Sequence, residues 1–360
     1  MFGDQSPFDI IKRVSMNSTL QPGSIAAASN AGTSPSGAGG AREFEALISG
    51  CGVYERSSRA KIRLTGGDRV RWLNGMVTNN IRDLAVNHGV YCFLLNAQGH
   101  IQADFYAYNL GDYLLLDTAA ELREKVLAHF DKFIIMDDVE VADVTATMAA
   151  ISVSGPRATD VLRAAGVEIP QLAPLELCTP RCDCDCGCLA CTVVRGNEAL
   201  GESYEIWLAP GHMKAAWDAL ALAGAVPVGA EAMEMWRISR GIPVYGVDIR
   251  ERDLPQETGQ MRALSFTKGC YLGQEIVERI RSRGAVHREF RAFAVEGPLP
   301  PAGVKIVANE KEVGEITSSA ELPLAAGHRA VALGYLRREA AGKELRAGAA
   351  TLNPAVLPII

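Results

Sequence analysis

The character of the chain changes near Phe290, and this change limits the fold more than any other feature of the sequence. Before that point, apolar strand patterns alternate with amphipathic helices, which predicts an α+β region. After it, short strands alternate with glycine and proline turns, which predicts a small antiparallel β-barrel of about 70 residues. We place the boundary so that the α+β region covers residues 43–286 and the barrel covers residues 287–360.

Hydrophobic periodicity predicts the individual elements of both regions. Two apolar runs flank Asn96-Ala97-Gln98-Gly99, which is a hairpin signal with glycine in the turn. Asp68 is expected to cap the helix that it begins. The predicted strands are 60–64, 90–95, 101–108, 113–117, 149–153, 204–208, 290–295, 304–307, 312–317 and 330–336, and the predicted helices are 68–76, 120–130, 157–165, 213–223 and 230–240.

The composition limits the classes of function. Of the 360 residues, 48% are hydrophobic, so a sizeable core can be buried. The 36 basic residues against 42 acidic residues argue against nucleic acid as the main partner. The chain lacks an apolar run of about 18 residues, so we expect no membrane span. It begins Met1-Phe2-Gly3-Asp4, unlike a signal peptide. We expect a cytoplasmic protein, and we expect it to be a monomer.

The first part of the chain has a different composition from the rest. The stretch from Gln21 to Ala41 is rich in glycine, alanine, serine and proline. Such a stretch buries too little apolar surface to offset the entropy lost on ordering. We therefore expect residues 1–42 to form a flexible tail.

Most of the nine cysteines fall in one run between Cys178 and Cys191. Metal sites need ligands that converge on one point, whereas alternate residues of a flat strand lie about 6.6 Å apart on one face. Two interpretations stay open. Thiolates with a bend between them would bind zinc, copper(I) or a cluster, or the run is an irregular surface loop. The candidate metal ligands are Cys182, Cys184, Cys186 and Cys188.

A separate cysteine, Cys270, lies in the motif Lys268-Gly269-Cys270-Tyr271-Leu272-Gly273-Gln274-Glu275. Its two glycines permit unusual backbone angles on either side of the thiol. The residues from Gln274 onward favour a helix, so the thiol is expected just before a helix N-terminus. That terminus and Lys268 would both favour the thiolate, which suits redox or sulfur chemistry. The alternative is a small buried core cysteine.

The same motif resembles the signature of the YgfZ family of folate-binding proteins, which are relatives of the glycine-cleavage T-protein. The resemblance extends over about residues 45–336. Further segments similar to family motifs are 67–79, 96–104, 236–243, 254–257 and 283–288.

This resemblance implies a fold and a function. The fold would be a GcvT-like folate-binding region of two related α/β halves with a third region, followed by a β-barrel. Tetrahydrofolate, or a one-carbon derivative of it, would lie in the central hollow. The protein would support the assembly or repair of iron–sulfur enzymes. Its partners would be iron–sulfur proteins or their assembly machinery.

The resemblance also implies site residues. Cys270, Lys268 and Asp104 would carry the chemistry, with Asp104 also contacting the folate. Glu202 would accept hydrogen bonds from the pterin, although Glu205 is an alternative because this segment is one residue shorter than in the T-protein. Arg237 would clamp the glutamate tail of the folate. The remaining implied contacts are Tyr271 and Gln274 from the motif and, for a polyglutamate tail, Arg279, Arg281, Arg283 and Arg288.

Each of these assignments has a structural alternative. Asp104 and Glu202 would otherwise be solvated acids, and Arg237 would pair with Glu234. The basic stretch would be a solvated surface.

Three functions compete at this point. The leading hypothesis is a folate-binding accessory protein for iron–sulfur enzymes. The alternatives are a folate-dependent aminomethyltransferase and a scaffold without folate. Ala103 stands where the T-protein relatives carry a second acid, which argues against aminomethyl transfer.

Overall fold

The computed structural model describes residues 38–180, 191–197, 201–284 and 286–359. Among these residues, six α-helices come before the thiol motif, and a seventh begins within it. The helices are α1 (Ala38–Ser49), α2 (Arg69–Met76), α3 (Arg123–Phe133), α4 (Ala158–Ala164), α5 (Met213–Leu222), α6 (Ala230–Ser239) and α7 (Gln274–Arg283). The strands of this region are β1 (Gly52–Glu55), β2 (Ala60–Thr65), β3 (His88–Leu95), β4 (Ile101–Asn109), β5 (Leu114–Thr118), β6 (Glu140–Asp143), β7 (Ala149–Ser154), β8 (Leu177–Cys178), β9 (Cys191–Arg195), β10 (Ser203–Leu208) and β11 (Val226–Pro227).

These strands form two sheets. The first sheet has the order β3-β4-β5-β2-β6, and the second has the order β11-β1-β7-β10-β9-β8. The predicted hairpin is confirmed, since β3 and β4 pair in antiparallel fashion around the Asn96–Gly99 turn. Along β4, Ala103, Phe105 and Ala107 are buried in the core of the first sheet. Side chains alternate between the two faces of a strand, so the intervening residues of β4 face the other side.

The C-terminal region is a closed barrel with the order β12-β15-β14-β13-β16-β17. Its strands are β12 (Arg288–Glu296), β13 (Lys305–Ala308), β14 (Lys311–Leu324), β15 (Gly327–Arg337), β16 (Leu345–Ala347) and β17 (Ala350–Pro354). Neighbouring strands of the barrel pair in antiparallel fashion throughout the described residues. The structure therefore confirms the predicted α+β region followed by an antiparallel β-barrel.

A shared core joins the barrel to the α+β region. Phe44 and Leu47 of α1 and Trp236 of α6 pack in one cluster with Leu322 and Leu333 of the barrel. Burial of these apolar side chains stabilises the junction between the two regions.

Two sequence predictions are corrected by the structure. Helix α1 begins at Ala38, so residues 38–42 are helical and do not belong to a tail; residues 1–37 lie outside the described residues. The Asp68 side chain does not cap α2. Its carboxylate instead accepts a hydrogen bond from the Asp138 backbone N–H at 3.0 Å and one from Arg71 at 3.2 Å.

Within the part of the chain that the structure describes, we find no helix both long and apolar enough to cross a membrane.

Candidate functional site

A cavity of about 370 Å³ lies where the first sheet, the second sheet and helix α6 meet. We call it the central cavity. Strands β3, β4 and β5 of the first sheet supply one wall, and strands β1, β7, β9 and β10 of the second sheet supply another. Helix α6, the segment 242–245 and Arg262 also line the cavity.

A row of tyrosines forms the wall on the first sheet. The register of β3 and β4 places Tyr91 directly opposite Tyr106, and their ring centroids are 5.0 Å apart. Tyr106 and Tyr108 lie two residues apart on the same face of β4, with stacked rings 6.4 Å apart. The alternation along β4 therefore directs a continuous aromatic surface into the cavity.

Asp104 lies on the same face of β4 and lines the cavity. Its Oδ2 accepts a hydrogen bond from the Tyr91 hydroxyl at 2.6 Å. Burial raises the pKa of Asp104, and the hydrogen bond from Tyr91 opposes that rise. Ala103 points to the opposite face and is fully buried in the core of the first sheet. An acid at position 103 would therefore not reach the cavity.

A buried ion network supports the other side of the cavity. The Lys61 ammonium lies 3.1 Å from Asp117 Oδ2 and 2.9 Å from Glu205 Oε1. Arg59 pairs with Asp117 at 2.6 Å, and Arg56 lies 3.1 Å from Glu205. Burial raises the pKa of Glu205, but the charges of Lys61 and Arg56 outweigh that effect, so the net pKa falls well below its usual range.

The two glutamates proposed for pterin binding occupy different places. Glu202 does not line the cavity, and its carboxylate accepts a hydrogen bond from the Thr159 hydroxyl. Glu205, the alternative, does line the cavity. In addition to its ion pairs with Lys61 and Arg56, Glu205 accepts a hydrogen bond from the Trp207 indole N–H at 2.6 Å. Of the two, only Glu205 lies where a cavity ligand would meet it.

Arg237 lines the cavity, but its guanidinium donates hydrogen bonds to other groups of the protein. Its Nε donates to Glu234 at 2.6 Å, and one terminal nitrogen donates to the same carboxylate. The terminal nitrogens also donate to Asp248 at 2.8 Å, to Ser318 at 2.8 Å and to the Ile242 carbonyl at 3.1 Å. A guanidinium has five N–H donors, so all are used within the protein. Arg237 therefore pairs with Glu234, the structural alternative, and this corrects the expectation that it clamps the glutamate tail of a folate.

Arg262 also lines the cavity, and its role there was not predicted from the sequence. Arg262 donates to Asn197 Oδ1 at 2.8 Å, and Asn197 donates to the Tyr106 hydroxyl at 2.7 Å. The Arg262 guanidinium also lies over the Tyr91 ring, 5.3 Å from its centroid. The Asn197 side chain, itself bonded to the Tyr106 hydroxyl, and the face of the Tyr91 ring thus hold this cation at the cavity. No local pattern around Arg262 signals this position, because its partners lie far away in the chain.

The thiol motif lies away from the central cavity. Cys270 is exposed, so the alternative of a buried core cysteine is excluded. Helix α7 begins at Gln274, as predicted, and Gly273 before it adopts a left-handed conformation with φ of +81°. The residues Lys268, Cys270, Tyr271 and Gln274 do not line the central cavity.

The neighbours of Cys270 in the motif have structural roles. The Lys268 ammonium donates to the carbonyls of Asn74, Val77 and Asn79 at 2.5–2.7 Å, where helix α2 ends. Burial lowers the pKa of Lys268 to about 8. Tyr271 is buried with its ring 4.9 Å from that ammonium, and Gln274 Oε1 accepts a hydrogen bond from the Tyr271 N–H at 3.1 Å. Lys268 therefore supports the loop by terminating α2.

The predicted metal ligands Cys182, Cys184, Cys186 and Cys188 lie outside the described residues. Cys178 and Cys191 flank that run on β8 and β9, the first half-buried and the second buried. The described residues contain no group of three or more histidine, cysteine or carboxylate side chains that would hold a metal ion.

Comparisons with known proteins agree on the fold. The family model described as the GCVT N-terminal domain matches residues 26–268, and that of the CAF17 C-terminal beta-barrel domain matches residues 286–358. An aminomethyltransferase from Rubrobacter xylanophilus is 28% identical and covers 83% of this chain and 80% of its own length. One from Thermus thermophilus is 27% identical and covers 88% and 89%.

A solved structure is similar over most of the chain. The glycine cleavage system aminomethyltransferase T from Bartonella henselae superposes with a TM-score of 0.78 at 21% identity and covers 89% of each chain. This likeness shows that the α+β region and the barrel are arranged as in that protein.

Proposed function

The chain belongs to the GCVT N-terminal domain family, and from that premise we propose that it binds tetrahydrofolate, or a one-carbon derivative of it, in the central cavity. We further propose that it acts as an accessory protein in the assembly or repair of iron–sulfur enzymes, with the Cys270 thiol as its reactive group. The observation that carries the proposal is the composition of the central cavity.

The shape and the aromatic lining of the cavity support a folate. Tetrahydrofolate carries a pterin, an aminobenzoyl ring and a glutamate. Ligand sites for molecules of this size are mostly apolar clefts of about 300–1,000 Å³ with a few placed polar groups, and the central cavity of about 370 Å³ falls in that range. Tyr91, Tyr106 and Tyr108 provide the flat surface on which rings stack.

The polar groups of the cavity suit the two ends of a folate. Asp104 and Glu205 are carboxylates that would accept hydrogen bonds from pterin N–H groups. Arg262 faces the same space and would meet a carboxylate of the glutamate. All N–H donors of Arg237 bind Glu234, Asp248 and its other partners. We therefore propose that Arg237 stabilises the cavity wall and does not bind the ligand.

The exposure of Cys270 supports a role in contact with another protein. A thiol at the surface is accessible to a partner, whereas the cavity lies elsewhere. We propose that folate binding and the thiol act at two separate places on one protein. The aminomethyltransferase alternative is less favoured, because it leaves the exposed thiol without a role.

The test is complementation of a strain that lacks this protein. We expect Cys270→Ser to fold and to bind tetrahydrofolate like the wild type, but to fail to restore the activity of iron–sulfur enzymes. Thr267→Ala, an exposed change in the same loop, is the matched control and should restore that activity. Full rescue by Cys270→Ser would remove the thiol from the proposal, and failure of the wild type to rescue would remove the iron–sulfur role.

A further inference from the structure

The chain that follows helix α2 lies between the central cavity and the thiol motif. The helix ends at Met76, and the next residues are Val77, Thr78 and Asn79. We call residues 77–79 the α2 turn. Val77 and Thr78 are fully buried, and Asn79 is half-buried. The proposed function gives this turn no role, although it belongs to one of the segments that are similar to family motifs.

The side chain of Asn79 joins two parts of the cavity lining. Its Nδ2 donates to the Tyr91 carbonyl at 2.9 Å and to the Arg262 carbonyl at 2.9 Å. A side-chain amide nitrogen has two N–H donors, so both are used. Tyr91 and Arg262 line the central cavity, whereas Asn79 does not. Asn79 therefore fixes the aromatic wall and the cavity arginine relative to each other without meeting the cavity itself.

Thr78 makes a second connection between the same two segments. Its hydroxyl donates to the Ala263 carbonyl at 2.6 Å and accepts a hydrogen bond from the Phe93 N–H at 2.9 Å. Its backbone carbonyl accepts a hydrogen bond from the Ser265 N–H at 3.0 Å. Buried polar groups are costly to leave unpaired. Strand β3, the α2 turn and residues 262–265 are therefore expected to move together.

The α2 turn also holds the loop that carries the thiol. The Lys268 ammonium donates to three carbonyls at the end of α2 and in the turn, and one of these is the carbonyl of Asn79. On the other side of the thiol, the Leu272 N–H donates to the Gly75 carbonyl at 3.1 Å. Cys270 lies between Lys268 and Leu272 in the chain. Its loop is therefore fastened to the end of α2 on both sides.

Apolar packing connects the same parts of the protein. Ala263 and Leu264 are buried in one cluster with Tyr91 of the cavity wall and with Tyr271, the residue after Cys270. Close-packed side chains transmit a displacement because little free space exists to absorb it. The cavity and the thiol loop thus share both a set of hydrogen bonds and a core.

We infer that Asn79 is a positioning residue that couples the central cavity to Cys270. A ligand held against Tyr91 and Arg262 stabilises the arrangement of the α2 turn, and the turn in turn restrains the loop of Cys270. A restrained loop opens less often, so the thiol of the ligand-bound protein reacts more slowly with a small reagent. This inference rests on the proposed function, since it links the two places at which that function acts.

The first test measures the alkylation of Cys270 by iodoacetamide in the wild type, with and without saturating tetrahydrofolate. Mass spectrometry of the peptide that contains Cys270 gives the rate at this thiol alone. We expect the ligand to slow alkylation at least about threefold. An equal or higher rate with bound ligand would overturn the inference but leave the proposed function standing. Absence of tetrahydrofolate binding in a titration would overturn the proposed function itself.

The second test removes the two donors of Asn79. Asn79→Asp keeps the shape of the side chain, and Asn79→Ala removes the donors without adding a charge. In both variants, saturating tetrahydrofolate should slow alkylation of Cys270 by only about 1.5-fold or less. The control is Asn80→Asp, the same change at the next residue, whose Nδ2 donates to Asp83 at 2.7 Å and not to the cavity lining. This variant should keep the slowing seen in the wild type.

Urea denaturation of the same variants separates positioning from a purely structural role. A purely structural Asn79 would lower the free energy of unfolding when it is replaced, but it would leave the slowing by the ligand intact. That result in Asn79→Asp or Asn79→Ala would overturn the inference. Loss of the slowing in Asn80→Asp as well would also overturn it, because the effect would then not belong to Asn79.

Discussion

At the scale of single residues, the charged groups behind the central cavity depend on one another. Lys61 is only 1% exposed, and its ammonium lies between Asp117 and Glu205 and 4.6 Å from the centroid of the Trp207 ring. Taking such charges out of water is costly, and the cost is offset only when each charge keeps its partner. The lysine therefore holds two carboxylates in place at the base of the cavity.

The first prediction concerns this lysine. Lys61→Met keeps the length of the side chain but leaves two carboxylates without their shared cation, so we expect the free energy of unfolding to fall by about 3–5 kcal/mol. Urea denaturation measures this quantity. The control is Lys214→Met, which breaks an exposed pair with Asp218 and should cost about 1 kcal/mol or less. An equal loss of unfolding free energy in the two variants would contradict the conclusion that Lys61 holds the two carboxylates in place.

At the scale of elements, helix α7 is fixed by close approach to the β3–β4 hairpin. A Cβ added at Gly273 would lie 2.5 Å from the Asn96 carbonyl oxygen, and one at Gly99 would lie 2.7 Å from Ile276 Cβ. Gly273 also has a φ of +81°, which other residues adopt at a cost. The glycine after the thiol in the motif thus serves to dock the helix. Gly269, the other glycine of the motif, has no such positive φ.

A matched pair of glycines tests this docking. Gly284 at the end of α7 also has a positive φ, of +101°, but an added Cβ there would meet nothing within 4 Å. We expect Gly284→Ala to cost about 1 kcal/mol for the backbone alone, and Gly273→Ala to cost at least about 2 kcal/mol more because of the clash. Chemical denaturation of both variants measures the difference. A similar loss of unfolding free energy at the two positions would show that helix α7 does not depend on its close contact with the β3–β4 hairpin.

The local pattern of the sequence predicted some site residues and not others, for a physical reason. Asp104 was predicted from the resemblance of its hairpin segment to the family, and the alternation along β4 could also have indicated Tyr106 and Tyr108. The structural role of Lys268 was not predicted, because its acceptors are carbonyls 189 to 194 residues away in the chain. Arg237 likewise donates to Ser318, 81 residues away. Partners at such separations leave no periodic signal.

At the scale of the whole molecule, ion pairs join the α+β region to the barrel. Glu315 of β14 accepts a hydrogen bond from Arg250 of the α+β region at 2.7 Å and, within the barrel, one from Lys305 at 2.8 Å. Asp248 is fully buried and accepts from Ser318 of β14 at 2.8 Å as well as from Arg237. Tyr335 of the barrel donates to Asp253 at 3.2 Å. The barrel is therefore held to the cavity-bearing region by polar groups in addition to the shared apolar core.

This junction makes stability depend on pH. Burial raises the pKa of Glu315, but Lys305 and Arg250 outweigh that effect and bring the pKa to about 2, below its usual value of 4.5. Since the folded state lowers this pKa, the stabilisation is complete above about pH 4.5 and is lost as the pH falls toward about 2. We expect the melting temperature of Glu315→Gln to change less between pH 5 and pH 2 than that of the wild type. Parallel curves for the two proteins would contradict this assignment.

The most direct test of the central claim is isothermal titration of the protein with tetrahydrofolate. We expect the wild type to bind one molecule per chain. Tyr106→Leu removes part of the aromatic wall and should bind at least about tenfold more weakly. Phe290→Leu removes a ring of the barrel that does not line the cavity and should bind like the wild type. Absence of binding by the wild type, or equal binding by wild type and Tyr106→Leu, would contradict the assignment of the central cavity to a folate.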